Sequence, residues 1–253
     1  MLIMITPEQK NKLHRLEYAL SDIERGVIAV SGGLDSRLLA FVAHRADLDM
    51  HCVHLSGPHV PRSETQWAEQ WLRKLGLAFT VLSIDPLSHP SVSSNGRDRC
   101  YHCKRLLFSA VRDRFPGAAL MDGSNATDQQ GYRPGLRALE ELGIQSPFAE
   151  SSITKDDIRA MALFIGLDQP VQPATPCLLT RLPYDAPVLA RDLERIARLE
   201  DECRALGFMD FRVRLVDGHC VLFAHEDNMG RIPPQGLAVN WVTKVSGYWD
   251  QQR

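Results

Sequence analysis

The sequence lacks an excess of charge of either sign. Its 253 residues carry 29 Lys and Arg against 31 Asp and Glu, which gives a formal net charge of −2. Proteins that bind nucleic acid through its phosphates present basic surfaces, so the composition excludes general nucleic-acid binding. No apolar run has the length of a membrane span, and the N-terminus lacks the basic and then apolar pattern of an export signal. We therefore expect a cytoplasmic protein without membrane contact, long enough to bury a sizeable core.

Cysteine is scarce, with six residues in the chain. In a reducing compartment, clustered cysteines indicate metal binding or catalysis rather than disulfides. Three cysteines lie in segments typical of strands or helices and are interpreted as small packing residues: Cys52, Cys203 and Cys220. The other three, Cys100, Cys103 and Cys177, lie in segments that suit chemistry better.

Segments typical of strands alternate with segments typical of helices over the first two thirds of the chain. Strands are predicted at residues 26–31, 51–56, 79–84 and 118–122, and helices at residues 36–45, 61–75, 101–114 and 154–163. A helix over residues 6–23 has Thr6 and Gln9 placed for a capping box. The alternation predicts an α/β fold with a parallel, doubly wound sheet. Ligands of such sheets bind at the carboxyl ends of the strands. Four residues fall at these ends: Ser31, Ser56, Asp85 and Gly123.

A second, smaller domain is predicted after a proline-rich connection at residues 168–187. A helix is expected at residues 190–206, and strands at residues 211–216 and 220–225. The Asp217-Gly218 pair between the strands favours a tight hairpin turn. The sequence therefore predicts a nucleotide-binding domain over residues 1–168 and an α+β domain over residues 169–253.

The segment after the first strand reads Ser-Gly-Gly-Leu-Asp-Ser over residues 31–36 and precedes a helix. Adjacent glycines adopt backbone conformations that a Cβ would block, so the amides and the helix N-terminus can hold an anion. The hydroxyls of Ser31 and Ser36 add donors for phosphate oxygens. Asp35 would repel phosphates without a divalent cation between them, so we predict a Mg²⁺ site at Asp35. No Lys follows, which excludes a Walker A loop. The alternative is a Gly-Gly turn capped by serine.

This loop resembles the SGGxDS motif of the PP-loop ATP pyrophosphatase superfamily, which follows the first strand. The resemblance implies an adenine nucleotide alpha hydrolase-like fold and cleavage of ATP between the α and β phosphates, which adenylates a substrate. A second segment, at residues 121–128, looks like the superfamily's motif across from the loop; the alternative is a plain turn. The ATP-binding residues implied are Ser31, Gly32, Gly33, Asp35, Ser36, Gly123, Asn125 and Asp128.

The Cys100-x-x-Cys103 pair opens a predicted helix and has basic neighbours on both sides. Two thiolates at this spacing can share one metal, and nearby cations lower thiol pKa values. Zinc would need two more ligands, and the other cysteines supply no second pair. Cys177, in an irregular loop after Pro176, is the natural third partner. Three thiolates with one open iron suit a 4Fe–4S cluster; the alternative for Cys177 is a small packing residue.

Six motifs together resemble the LarE family of ATP-dependent sulfur transferases. They lie at residues 31–36, 97–104, 122–128, 132–135, 146–151 and 176–184. The resemblance implies an enzyme that adenylates a carboxylate of pyridinium-3,5-biscarboxylic acid mononucleotide and replaces its oxygen with sulfur, on the way to the nickel-pincer nucleotide cofactor. Some members sacrifice a single cysteine, and others use three cysteines with a 4Fe–4S cluster. Cys177 matches the reactive cysteine, and Cys100 and Cys103 match the extra pair of the cluster type.

Substrate-binding residues follow from the same resemblance. Arg212 and Arg214 match a strand whose arginines lie where a substrate phosphate binds, a task that suits guanidinium groups; the alternative is a pair of solvated strand arginines. Arg181 and Glu200 also occupy family-like positions. The family's Ala-Arg-Ile-Glu is replaced by Cys220-Val221-Leu222-Phe223, and at the C-terminus Gly247-Tyr248-Trp249 echoes the family's tail only in part.

Rival functions remain open from the sequence. They are an ammonia-using amidotransferase or synthetase, a tRNA-thiolating enzyme and a non-catalytic nucleotide sensor. The first leaves the three clustered cysteines without a role, and the balanced charge disfavours the second. We expect ATP, Mg²⁺ and a 4Fe–4S cluster as cofactors, a nucleotide-like small-molecule substrate, and a homo-oligomer.

Overall fold

Two units make up the chain in its computed structural model, which describes residues 5–129, 133–172 and 175–245. The first unit comprises residues 1–56, 64–84 and 100–172, and the second comprises residues 57–63, 85–99 and 173–253. The sequence-based domains, residues 1–168 and 169–253, stay a prediction.

Every predicted helix and strand is present, and its ends lie within two residues of the predicted ends. The helices are α1 (Pro7–Ser21), α2 (Leu34–Arg45), α3 (Arg62–Lys74), α4 (Pro90–Ser93), α5 (Arg99–Arg114), α6 (Pro134–Glu141), α7 (Pro147–Glu150), α8 (Lys155–Phe164) and α9 (Ala190–Ala205). The strands are β1 (Gly26–Ala29), β2 (Met50–Ser56), β3 (Phe79–Ser83), β4 (Ala119–Met121), β5 (Phe211–Val216), β6 (His219–His225) and β7 (Ala238–Val242). The helices α4, α6 and α7 and the strand β7 were not predicted.

The first unit contains a four-stranded parallel sheet in the order β3-β2-β1-β4. Val27 of β1 packs in a core cluster with Phe108 and Val111 of α5. Its neighbour Ile28 packs in a second cluster with Leu38 of α2. Because successive side chains of a strand point to opposite faces, helices cover both faces of the sheet. The predicted α/β fold is confirmed.

The capping box at the start of α1 is present as predicted. The Thr6 side chain accepts a hydrogen bond from the Gln9 backbone, and the Gln9 side chain accepts one from the Thr6 backbone. At the carboxyl ends of the sheet, Ser31 follows β1, Ser56 ends β2 and Gly123 follows β4. Asp85 likewise follows β3, so all four residues expected at the carboxyl ends end or closely follow a strand of the sheet.

The second unit holds a mixed sheet in the order β5-β6-β7. The strands β5 and β6 are antiparallel, and positive φ angles of 48° at Asp217 and 78° at Gly218 turn the chain between them. The helix α9 contacts β5. The edge strand β7 runs parallel to β6 and is partly exposed, so it lacks the apolar pattern that would have predicted it. The predicted α+β character of this part is confirmed.

No helix in the described ranges combines the length and apolar character needed to cross a membrane.

Candidate functional site

The loop between β1 and α2 is braced by its own serines. The Ser36 hydroxyl donates to the Gly33 carbonyl over 3.1 Å and accepts from the Ser31 amide over 3.1 Å. Gly32 has a φ of +87°, a left-handed conformation that favours glycine. Gly33 is the N-cap of α2, and no side chain caps that helix. The loop therefore presents an uncapped helix N-terminus, which suits an anion.

The segment after β4 packs directly on this loop. A Cβ on Gly123 would lie 2.8 Å from the Ser36 nitrogen, so only glycine fits at this position. The Asn125 side-chain nitrogen donates to Oδ2 of Asp35 over 2.9 Å and to Oδ2 of Asp128 over 2.8 Å. The structure thus brings together the predicted residues of both motifs. Their roles in ATP binding stay a prediction.

Two carboxylates meet at this point, which bears on the predicted Mg²⁺. Asp35 and Asp128 both accept from one nitrogen of Asn125, and both side chains are about one fifth exposed. Magnesium in nucleotide enzymes is held by one or two carboxylates together with substrate phosphates. The two carboxylates are of the kind that such an ion takes, although Asp128 also pairs with Arg133 over 3.0 Å. The Mg²⁺ site at Asp35 stays a prediction.

Two lysines that the sequence did not single out as site residues form ion pairs with carboxylates of the two nucleotide motifs. The Lys155 ammonium forms an ion pair with Oδ1 of Asp35. The Lys104 ammonium lies 3.5 Å from Oδ2 of Asp122, which also accepts from the Ser124 hydroxyl. Lys155 opens α8, which matches the helix predicted at residues 154–163, but only the tertiary fold carries its side chain to the loop.

Arg37 is a further residue of the loop region that sequence reasoning missed. Its side chain is fully buried, and Nε donates to the Gly32 carbonyl over 3.2 Å. The two Nη atoms donate to Asp168, Gln169 and Gln172. The guanidinium lies over the Trp67 ring, 4.8 Å from its centroid. Burial lowers the pKa of Arg37, and Asp168 offsets part of that effect. These bonds tie the loop to the last residues of the first unit.

Four cysteines are buried and two are half-buried: Cys52, Cys103, Cys203 and Cys220 are buried, and Cys100 and Cys177 are half-buried. Burial raises the pKa of the Cys52 and Cys203 thiols to about 12 and also raises that of Cys220, so these three suit packing. Cys177 is half-buried and precedes a 3₁₀ turn, Leu178–Arg181.

Cys100 and Cys103 lie in the first two turns of α5; Cys100 is half-buried and Cys103 is buried. They belong to the first unit and Cys177 to the second. Within the described ranges, no three or more His, Cys, Asp or Glu side chains are placed to hold one metal ion. The 4Fe–4S cluster therefore stays a prediction from the resemblance.

The second unit buries a cluster of charged side chains around Glu200. Arg181 donates to both carboxylate oxygens of Glu200, over 2.8 Å and 3.1 Å, and the Val213 amide donates over 3.0 Å. Burial opposes the ionisation of Glu200, but the charge and hydrogen bonds of Arg181 outweigh it, so the pKa of Glu200 is lowered. Glu200 and Arg181 are each 1% exposed. Glu200 is the counter-ion of this cluster.

Arg212 and Arg214 complete the cluster from β5. They are 6% and 1% exposed, so the alternative of two solvated strand arginines is wrong. Burial, and next the charge of Arg181, lower the pKa of Arg212 to about 10. The Arg214 guanidinium lies 5.6 Å from the centroid of the Phe223 ring, so a residue that departs from the family pattern contacts a family-like arginine. The charges of Arg181 and Arg212 act on the Glu200 carboxylate, while Arg214 donates to the Thr180 carbonyl over 3.4 Å.

Comparison with known proteins identifies the family. No family model matches the chain. An uncharacterised protein of Synechocystis is 32% identical over 239 residues, which cover 90% of this chain and 84% of the relative. An uncharacterised protein of Methanocaldococcus jannaschii is 31% identical over 204 residues, 79% of this chain and 78% of the relative. A Lactiplantibacillus plantarum protein named pyridinium-3,5-bisthiocarboxylic acid mononucleotide synthase is 31% identical over 205 residues, 78% of this chain and 73% of the relative. The chain belongs to the LarE family.

Membership in the LarE family confirms the resemblance carried by the six motifs. The named relative is a synthase, so the LarE family, to which this chain belongs, is a family of enzymes. Tyr132 of the fourth motif and the Gly247-Tyr248-Trp249 segment lie outside the described residues. The cytoplasmic location and the homo-oligomer stay predictions.

Proposed function

We propose that the protein is an ATP-dependent sulfur transferase that adenylates a substrate carboxylate and releases pyrophosphate. One observation carries this proposal: Asp35 and Asp128 both accept a hydrogen bond from the Asn125 side chain, beside the uncapped N-terminus of α2. A helix N-terminus binds phosphate, and two neighbouring carboxylates suit a magnesium–nucleotide complex. The loop contains no Walker lysine, which favours attack at the α phosphorus over transfer of the γ phosphoryl group.

In the first step, a carboxylate oxygen of the substrate attacks the α phosphorus of ATP. The bond from that phosphorus to the bridging oxygen breaks, and pyrophosphate leaves with the electron pair. The amides at the start of α2 bind phosphate oxygens, and Asp35 and Asp128 would hold the magnesium that screens their charge. The resulting acyl adenylate carries AMP, a far better leaving group than oxide.

In the second step, the Cys177 thiolate attacks the acyl carbon and AMP leaves, which forms a thioester. Removal of the Cys177 α proton then breaks its Cβ–S bond. The sulfur departs with the product as a thiocarboxylate, and the residue becomes dehydroalanine. In the other route suggested by the resemblance, exogenous sulfide supplies the sulfur and Cys177 keeps its own.

For the substrate, we propose pyridinium-3,5-biscarboxylic acid mononucleotide, the carboxylate counterpart of the product named for the Lactiplantibacillus plantarum relative. Arg181, Arg212 and Arg214 would bind its phosphate. Support comes from charge, because the second unit holds three arginines, Arg181, Arg212 and Arg214, and the Glu200 carboxylate pairs with Arg181. Guanidinium groups bind phosphate with short, charge-assisted hydrogen bonds.

The nucleotide product tests the proposal. The purified protein, given Mg²⁺, ATP and the pyridinium substrate, should form AMP and pyrophosphate in equal amounts. ADP as the product would contradict it. Mass spectrometry of the protein before and after turnover distinguishes the two sulfur routes, because only the sacrificial one removes the mass of H₂S from Cys177.

A further inference from the structure

We propose that Lys155 is the phosphate-binding cation of the nucleotide site and that it exchanges partners when magnesium–ATP binds. In the free protein its ammonium neutralises Asp35, and in the complex it binds the phosphates that leave as pyrophosphate. The proposal rests on the ATP site proposed above, and it adds a residue from outside the two nucleotide motifs.

The position of Lys155 is fixed at its backbone. Its amide donates to Oγ1 of Thr127 over 3.1 Å, which ties the start of α8 to the segment after β4. Thr154 caps α8 in a capping box with Asp157. The side chain then reaches the loop and forms an ion pair with Oδ1 of Asp35. One residue therefore joins both nucleotide motifs.

The side chain remains able to move although the backbone is held. The Lys155 side chain is 30% exposed and that of Asp35 is 20% exposed, so neither charge is locked in the core. A lysine ammonium on four methylene groups can change partners with little rearrangement. Arg37 offers a contrast, because it is fully buried and its donors are bound to the Gly32 carbonyl and to residues 168–172.

The charges around the loop explain why an exchange is favourable. Asp35 accepts from both Lys155 and Asn125, so its charge is balanced without a metal. When a divalent cation is held at Asp35, the Lys155 ammonium loses its counter-ion next to incoming phosphates. Its best new partner is a phosphate oxygen. As the bond from the α phosphorus breaks, negative charge builds on pyrophosphate, and a nearby ammonium stabilises it.

The exchange makes a distinctive prediction about metal binding without nucleotide. In the absence of ATP, Lys155 competes with divalent cations for Asp35. Lys155→Met removes the competing charge and keeps most of the side chain's length. It should therefore bind Mn²⁺ about threefold or more tighter than the parent protein, measured by electron paramagnetic resonance of free Mn²⁺ without nucleotide. The gain would show that Lys155 and divalent cations compete for Asp35, and the affinity for ATP tests whether Lys155 then binds phosphate.

The same variant should bind ATP more weakly. The affinity for ATP, measured by calorimetry in EDTA and again with Mg²⁺, should fall about tenfold because a charge-assisted hydrogen bond is lost. Lys155→Arg should recover most of that affinity. Arg159→Met is the matched control, since it removes a cation one turn further along α8 that pairs with Asp156, and it should change neither measurement.

Two results would overturn the proposal. One is a Lys155→Met protein that binds ATP as tightly as the parent, and the other is one with unchanged Mn²⁺ affinity; circular dichroism of each variant verifies the fold. A parent protein that binds no ATP would instead refute the proposed function itself, and the Lys155 role with it. If the parent protein binds ATP and Lys155→Met binds it equally well, only the proposed role of Lys155 is refuted.

Discussion

The side-chain nitrogen of Asn125 lies 2.9 Å from Oδ2 of Asp35, although 90 residues separate them in the sequence. The bond fixes the carboxylate of the loop against the segment that follows β4. Lys155 binds the other oxygen of the same carboxylate. Asp35 is therefore held at both oxygens beside the N-terminus of α2, and it is the residue on which the proposed ATP chemistry would depend most.

Asp35→Asn should reduce the formation of AMP and pyrophosphate at least about tenfold, a loss of about 1.4 kcal/mol of transition-state stabilisation. The amide keeps the size of the side chain but cannot bind a divalent cation with a full negative charge. A pyrophosphate-release assay measures the effect, and far-UV circular dichroism should show an intact fold. Wild-type turnover by this variant would remove Asp35 from the magnesium site.

Cys177→Ala should still form the acyl adenylate and release pyrophosphate, because the loop proposed to bind ATP is a separate element of the chain. It should make no thiolated product, since the nucleophile is gone. Product analysis by mass spectrometry measures the outcome. Cys220→Ala is the matched control: this thiol is buried and its pKa is raised, so its removal should leave thiolation unchanged. If Cys177→Ala and the parent made equal amounts of thiolated product, Cys177 would be a small packing residue without a role in sulfur transfer.

Cys100→Ser and Cys103→Ser test the predicted cluster. After anaerobic purification, each variant should lose iron and acid-labile sulfide that the parent contains, because a thiolate ligand is replaced by a weak one. ATP binding should change by less than about twofold, since both residues lie outside the nucleotide motifs. If both variants keep full sulfur transfer and the parent holds no iron, the sacrificial route through Cys177 is the correct one.

Glu200→Gln should lower the free energy of unfolding by about 3 kcal/mol, because it leaves buried guanidinium groups without their buried counter-ion. Urea denaturation at neutral pH measures the loss. Glu202→Gln, on the same helix but facing Arg198 at a largely exposed site, should cost less than about 0.5 kcal/mol. An equally small effect at Glu200 would mean that Arg181 finds another acceptor.

Asp157 makes stability depend on pH below neutrality. Burial opposes its ionisation, but hydrogen bonds from Lys12, Thr154 and Gln9 outweigh burial and lower its pKa from 3.8 to about 2. The ionised form therefore stabilises the fold above the unfolded pKa, and this contribution is lost as the pH falls from 3.8 through about 2.

Asp157→Asn should lower the free energy of unfolding by about 1 kcal/mol at neutral pH, and the difference from the parent should vanish near pH 2. Urea titrations at several pH values measure both. Asp156→Asn is the control, since its side chain is exposed and pairs only at the surface with Arg159. A difference that persists unchanged to low pH would show that the charge of Asp157 is not responsible.

Local patterns determined most of the fold from the sequence alone. Buried apolar strands, helical periodicity and the capping box at Thr6 all depend on residues that are close in the chain. They can therefore be predicted from the sequence without a structure. The role of the loop glycines can be predicted for the same reason, because the left-handed φ of Gly32 is a property of the local backbone. The edge strand β7 was missed because an edge strand needs no continuous apolar pattern.

Only the tertiary structure decided which distant charges meet. Lys155 looks like an ordinary helix-start residue in the sequence, and the fold alone brings it to Asp35. Likewise, Arg212 and Arg214 follow the period of a strand whether they are solvated or buried, and their burial depends on the packing around β5. Pairings between residues far apart in the chain leave no periodic trace in the sequence, because they are set by how the helices and sheets pack.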